Sequence, residues 1–386
     1  MIPFKYNVRN LRVRWKTTLM TVLGTALLVA SSCILFGLVE GLEHSLKVSG
    51  DPLDLIVLRQ GATAETTGGF EGKKADELLT LGGILRDGDG PVGAKELLNI
   101  AVAERASGTY NNLIIRGVQP ASRKLRPDFK IVAGRDLEPG KGECIVPRSV
   151  ARLYKGAQIG GQLLFGEKEK YRVVGMFTAG GSQAESEVWA DLKDVERNTG
   201  RDGSVSCVQL RASGPAEFDQ LRKEIEDGAQ FRLAAHPETK YFESQSDTST
   251  FFKAAGTLIA ILLTFGAMFA AANTMFSAVK SRTREIGTMR ALGFSRGDVL
   301  MSFLGESVLL SLLGGGLGLL ATIPMSLISI ETMNSSTFAS VNINFRFGPW
   351  VMAVAMLMTL VMGLFGGMLP ALRAVRLEVI SALREL

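Results

Sequence analysis

The chain has 386 residues, 46% hydrophobic and 21% charged, with a mean hydropathy of +0.20; that composition excludes a disordered chain and fits poorly with a wholly soluble enzyme. Aromatic residues make up only 7% while glycines number 43, the balance expected where helices pack closely in lipid. The net charge of +5 is unevenly placed: residues 40–253 hold 29 Lys and Arg against 32 Asp and Glu, and the other 172 residues carry eight excess positive charges beside apolar runs. A nucleic-acid binder would set such charge on a folded surface, so this pattern belongs to a membrane protein instead.

The first 16 residues contain Lys5, Arg9, Arg12, Arg14 and Lys16 and no acid. Residues 17–39 follow without a charge, long enough to cross a hydrocarbon core as a helix. Ala30-Ser31-Ser32-Cys33 loosely resembles a lipoprotein processing site. The apolar run continues from Ile34 to Val39, however, which favours a retained signal anchor. Residues 40–253 read as a mixed α and β domain. Strands are expected at 53–59, 112–118, 162–165, 171–177 and 205–211, with a hairpin loop over 166–170. Phe218, Leu221 and Ile225 mark a helix over 216–227 that Gly228 stops. Residues 61–93, rich in Gly, Thr and charge, read as a mobile loop region. Cys144 and Cys207 either pair in an oxidising compartment or stay unpaired and buried; Cys33 is a packing residue of the first span.

Residues 254–279 form a second span and 299–330 a third, broken only by Glu306. At 1.5 Å per residue the third would be about 48 Å long, too long for a simple span, so Pro324 is expected to kink or end it. Residues 347–372 form a fourth, before a tail over 373–386. The 280–298 segment holds Lys280, Arg282, Arg284, Arg290 and Arg296 against Glu285 and Asp298, and the tail adds Arg373, Arg376 and Arg384. The connector between spans three and four has one basic residue, Arg346. The positive-inside rule then makes both termini and the 280–298 segment cytoplasmic and residues 40–253 extracytoplasmic. The fold class is an α-helical membrane protein with four transmembrane helices plus a large α+β extracytoplasmic domain inserted between helices 1 and 2. Asn273 and Glu306 are the intramembrane polar positions, and Glu306 is read as snorkelling to the interface or pairing with a cytoplasmic Arg. Gly314 with Gly318, and Gly363 with Gly367, form small-x3-small faces for helix packing, within the chain or between two copies.

No set of catalytic, metal-binding or cofactor-binding residues is visible. There is no Gly-x4-Gly-Lys-Ser/Thr, and Gly88-Asp89-Gly90-Pro91-Val92-Gly93 lacks the flanking strand and helix of a dinucleotide site and reads as a turn. The two histidines, His44 and His236, have no Cys or acid at metal-ligand spacing. The informative segment is Ser281 to Ser295. It reads as a short basic helix with apolar Ile286, Met289 and Leu292 on neighbouring turns and Gly293 where a helix end favours positive φ. An anchor on anionic lipid needs only Lys and Arg. An apolar stripe with a built-in stop points instead to a docking element for a cytoplasmic protein.

Arg284-Glu285-Ile286-Gly287-x-x-Arg290-Ala291-Leu292-Gly293 resembles the signature of MacB/FtsX-type (type VII) ABC transporter permeases. Glu306 early in the third span and the closing Pro370-Ala371-Leu372-Arg373-Ala374 support the resemblance. Gly134-Arg135-Asp136-Leu137, Val150-Ala151-Arg152-Leu153-Tyr154 and Tyr171-Arg172-Val173-Val174-Gly175-Met176-Phe177 are similar to that family's periplasmic core domain. The resemblance implies a homodimeric permease subunit in a bacterial inner membrane, without a fused ATPase domain and with no cofactor of its own. ATP and Mg would be bound by a separate cytoplasmic ABC ATPase subunit. Docking is assigned to Arg282, Arg284, Glu285, Ile286, Gly287, Met289, Arg290, Leu292 and Gly293. ATP-driven motion would pass to the extracytoplasmic domain by mechanotransmission. That domain would divide into a porter-like part, 40–100 with 205–243, and an inserted part, 101–204. Expected partners are the ATPase, a second copy, a periplasmic adaptor and membrane lipid, with no nucleic acid. The expected task is export or extraction of a small molecule, peptide, lipid or lipoprotein; the alternative is an FtsX-like regulator of a cell-wall hydrolase, against which the size of residues 40–253 counts. A membrane-anchored enzyme has no site residues to support it.

Overall fold

The computed structural model describes residues 13, 15–88, 90–165, 169–228, 230–244, 247–333 and 340–376. The chain divides into a helical unit, residues 1–40, 251–328 and 345–386, and an α/β unit, residues 41–250 and 329–344.

Helix α1 (Trp15–Val48) carries the first apolar run well past its expected end. The α/β unit then builds one ten-stranded sheet from β1 (Asp54–Arg59), β2 (Gly93–Glu104), β3 (Tyr110–Val118), β4 (Phe129–Gly134), β5 (Glu143–Pro147), β6 (Gln162–Phe165), β7 (Glu169–Ala179), β8 (Glu187–Asp191), β9 (Cys207–Arg211) and β10 (Leu233–Pro237). Their spatial order is β10-β1-β9-β2-β3-β8-β5-β7-β4, with β6 also on β7. The pairs β3–β8 and β5–β7 are parallel and the others antiparallel. Strand β2 joins the two halves: its first residues pair with β9 and the rest with β3. One core gathers Leu55, Val57, Val208, Leu210, Leu221 and Ile225 on the β1–β9 side. A second gathers Leu113, Ile115, Val146, Tyr171 and Val188 on the β3–β8 side.

Strand β2 escapes sequence reading because charge interrupts its alternation. Glu96 is fully buried in it, paired with Arg116 of β3 and with Arg126. Arg116 also donates to Glu65 and Glu187, so one guanidinium, 5% exposed, serves three carboxylates. Burial works against the charge of Glu96, but Arg126 and Arg116 outweigh it and hold the carboxyl at about 2.

Two expectations need correction. Residues 61–93 are not a loop region: they contain a strand pair between Phe70–Glu71 and Ser204–Val205, the helix Gly72–Leu78 and the hairpin of Arg86–Asp87 with Gly90–Pro91. Ala75 and Leu78, three residues apart, are fully buried and anchor the helix despite the polar composition around them. The expected strand over 205–211 is divided, Ser204–Val205 pairing away from Cys207–Arg211. The helix Pro215–Asp227 forms as expected, although Gly228 follows it with φ −67° and so ends it without a left-handed turn. The β6–β7 hairpin forms, with 166–168 at its tip outside the described residues. Cys144 and Cys207 are free and buried, on β5 and β9.

In the helical unit, α1 is joined by α2 (Asp247–Ser281), a short α3 (Thr283–Ala291), α4 (Arg296–Thr322) and α5 (Pro349–Val375). Four of these are long and apolar enough to span a membrane. Pro324 lies in a 3₁₀ turn, Ile323–Leu327, that ends α4. The small-x3-small glycines face other helices of the same chain. A Cβ on Gly314 would lie 2.6 Å from Thr25 Cβ of α1, and one on Gly318 2.6 Å from the Ala26 carbonyl. On α5, Gly363 and Gly367 meet Val308 and Ser307 of α4 at 2.8 and 2.5 Å by the same measure. Such approach lets backbones pack where lipid supplies no hydrophobic drive. Glu40 of α1 receives the Gly348 N–H at 3.3 Å, just before α5 begins with Pro349.

Candidate coupling helix

Helix α3 is held from both ends. At its start, Arg282 breaks the helical run of α2 and sends its guanidinium to Glu306 of α4, Nη1 to Oε2 at 2.7 Å and Nη2 to Oε1 at 3.2 Å; each side chain is only 6% exposed. At its end Gly293 has φ +93°, and its N–H reaches the Arg290 carbonyl at 3.2 Å while the Phe294 N–H reaches that of Met289 at 3.2 Å. These are the paired bonds of a Schellman stop, for which a left-handed glycine is needed. One residue further, Ser295 caps α4: its Oγ accepts from Asp298 N–H at 3.1 Å, and the Asp298 carboxylate accepts from Ser295 N–H at 3.0 Å.

Between these ends the helix has two unlike faces. Ile286 is fully buried among Met275 and Val279 of α2, Val299 and Phe303 of α4, and Ala371 and Ala374 of α5, with Met289 packed beside it. Gly287 is buried too. Arg284, Glu285 and Thr288 point outward, and Leu292 is 75% exposed. The expected stripe of Ile286, Met289 and Leu292 is thus split, because helical rotation carries Leu292 past the edge of the packed face. Arg282 is no surface residue either, since Glu306 draws it inside. Arg290 is half-buried and donates Nη1 to the Phe294 carbonyl at 3.3 Å, closing the turn rather than reaching outward.

Asn273 and Glu306 line one cleft of about 770 Å³, with Thr17 and Thr21 of α1, Ser277 of α2 and Ser307 of α4. The pairing of Glu306 is the ionic alternative read from the sequence, now with a named partner 24 residues away. Sequence reading missed the buried charges of the α/β unit: Arg116 and its carboxylates come from four separate segments, and only Arg116, alone in the apolar run Leu113-Ile114-Ile115-Arg116-Gly117-Val118, gave a local hint.

The family model described as the FtsX-like permease C-terminal region matches residues 257–379, and that of the MacB-like periplasmic core domain matches residues 18–227. The chain belongs to the MacB/FtsX-type ABC transporter permeases. The permease is 28% identical over 239 residues to the pyoverdine export ATP-binding/permease protein PvdT of Pseudomonas fluorescens, covering 58% of this chain and 34% of that one. It is 24% identical over 298 residues to the macrolide export ATP-binding/permease protein MacB of Bdellovibrio bacteriovorus, covering 71% and 44%. An uncharacterized ABC transporter permease of Methanocaldococcus jannaschii is 25% identical, with 68% of each chain covered. The permease therefore spans less than half the length of the first two. Among solved structures it is similar to the periplasmic region of MacB from Actinobacillus actinomycetemcomitans, at 9% identity and TM-score 0.39, over 53% of this chain and 98% of that one. The match to the extracellular domain of the transporter YknZ from Gram-positive bacteria has 12% identity and TM-score 0.37, over 47% and 99%.

Proposed function

We propose that the permease is the membrane subunit of an export system in which a separate cytoplasmic ABC ATPase docks on α3. The observation that carries this reading is the two-faced helix. Ile286 and the Arg282–Glu306 pair lock α3 to α2, α4 and α5, while Arg284, Glu285, Thr288 and Leu292 stand outward. A push on the outer face would move the helices it is locked to. An acid on the outward face, Glu285, works against attraction to anionic lipid as the sole role of this helix.

The distribution of basic residues supports both termini and α3 on the cytoplasmic side of a bacterial inner membrane, with the inserted domain outside. ATP hydrolysis would then be turned into motion of that domain without a path for substrate through the helices. Two copies of the permease would act with two ATPase subunits, and a periplasmic adaptor would extend the system outward. Small-molecule efflux is the cargo class we would test first, because two relatives are named for pyoverdine and macrolide export.

The test is affinity purification of the tagged permease and of a Leu292→Asp/Arg284→Glu variant from the native host. Wild type should bring down an ABC ATPase and an adaptor, and the variant should lose at least tenfold of the ATPase while still reaching the membrane. Equal recovery from both proteins would refute docking on this face. Recovery of a peptidoglycan hydrolase in place of the adaptor would make the permease a mechanical regulator.

A further inference from the structure

Within the α/β unit the chain comes into the sheet through residues 49–51, just before β1, and goes out of it past β10 through Glu238. These two passages touch: a Cβ on Gly50 would lie 3.0 Å from the Cα and the N of Thr239. Glu238, 5% exposed, joins them, its Oε2 accepting the Asp51 N–H at 3.0 Å and its Oε1 accepting from Gln209 Nε2 at 3.2 Å.

While Glu238 is ionised the charges of this junction fail to balance. Among the described residues, Asp51, Asp54, Glu65, Glu96, Glu187 and Glu238 share only three guanidiniums, those of Arg116, Arg126 and Arg211, and the ion pairs go to the other carboxylates rather than to Glu238. A proton on Glu238 removes one negative charge, and a half-turn of the Gln209 amide, whose two ends are alike in shape, lets the neutral carboxyl donate to the carbonyl oxygen. The far end of that amide is buried without a protein partner in either orientation. Gln209 and Glu238 border a cavity of about 80 Å³, room for water to meet that end and to carry the proton.

We propose that Glu238 holds a proton at neutral pH and, in that neutral form, ties the incoming chain of the α/β unit to the outgoing one, a tie that slackens as pH rises. Facing Glu238 are Asp51, Asp54 of β1, Glu65, Arg126 and Arg211 of β9, with Arg116, Asp128 and Glu187 across the cavity. Burial pushes its carboxyl up to about 8 and Asp54 adds to the shift, against the Asp51 N–H and Arg126. When the junction opens, the carboxyl returns to about 4.3 and releases its proton. The tie is therefore strongest in acid, weakens by up to about tenfold per pH unit, and levels off above about pH 8. Asp54, lifted by burial to about 6 against the pull of Arg211, adds its own dependence below that value. His236 of β10, held below its usual value by burial, adds a dependence of opposite sign at the lower end of the range from pH 6 to 8, so the Glu238 contribution is the part of the fall that Glu238→Gln removes.

The experiment uses the full chain in lipid nanodiscs. Hydrogen exchange of a peptide covering residues 49–55 is measured from pH 6 to 8 and corrected for the intrinsic rate, in wild type, Glu238→Gln and Asp54→Asn. Wild-type protection should fall across the window by up to about tenfold per unit. In Glu238→Gln, which keeps both hydrogen bonds without a titrating proton, the fall should vanish. Infrared spectra at pH 6.5 should show a neutral-carboxyl C=O band that Glu238→Gln removes. Equal slopes in wild type and Glu238→Gln, or a flat wild type, overturn the tie. A band that survives Glu238→Gln and disappears in Asp54→Asn overturns the location of the proton.

Discussion

Removing one member of the Arg282–Glu306 pair should cost the helical unit far more than removing both. The pair has two hydrogen bonds of 2.7 and 3.2 Å and each side chain is 6% exposed. Arg282→Met leaves a buried carboxylate without its counter-charge, a loss of about 3–5 kcal/mol for a pair of this kind. Glu306→Leu leaves a guanidinium in the same apolar surroundings at similar cost. The double variant strands no charge, and its stability should return to within about 1 kcal/mol of wild type or exceed it. The coupling energy of the cycle would then be several kcal/mol, well above the roughly 0.3–0.5 kcal/mol expected of independent sites. Denaturant titration of the purified permease in mixed micelles, followed by helix content, gives the four stabilities. If each single variant stays within about 1 kcal/mol of wild type, or the two losses simply add, the pair does not hold α3 in place and the rigid-push account of coupling fails with it.

Arg116→Met should destabilise the α/β unit by about 3–5 kcal/mol by stranding Glu65, Glu96 and Glu187. Glu96 would lose one of the two guanidiniums that hold its carboxyl at about 2, a contribution present above about pH 4.5 and lost as pH falls toward 2, so denaturation curves should show a smaller loss at pH 3 than at pH 7; a loss independent of pH would contradict this. Gly318→Ala should cost about 1–3 kcal/mol because its Cβ would lie 2.6 Å from the Ala26 carbonyl. Gly316→Ala, two residues away with nothing within 4 Å, should be neutral or stabilising by up to about 1 kcal/mol; equal effects in thermal melts would refute the packing assignment. Burial pushes the thiols of Cys144 and Cys207 up. Both should therefore resist alkylation until denaturant unfolds the α/β unit, and labelling of the native permease would show the strands open.

What the sequence determined unaided is whatever depends on local composition. Four apolar runs declare four spans because a charged residue in hydrocarbon is expensive. Gly293 declares a helix stop because few other residues accept φ +93°. The Arg-Glu-Ile-Gly run carried the family resemblance before any fold was seen. Strands with clean alternation or apolar runs, such as Gln162–Phe165 and Tyr110–Val118, were visible for the same local reason. Hidden were β2, β4, β5, β8 and β10, and for β2 the reason is a charge at a core position. Strand β2 looks polar at Glu96, and only the fold brings Arg116 and Arg126 to neutralise it. The division of α3 into a packed face and an outward one was hidden as well. Ile286, Met289 and Leu292 are equally apolar, and which of them is buried depends on where α2, α4 and α5 stand. Arg282 read as a docking residue because its sequence neighbours are basic; the tertiary structure turned it toward Glu306, 24 positions on. A charge takes the partner that distance and burial supply, and that distance is set by helix packing, which local sequence does not encode.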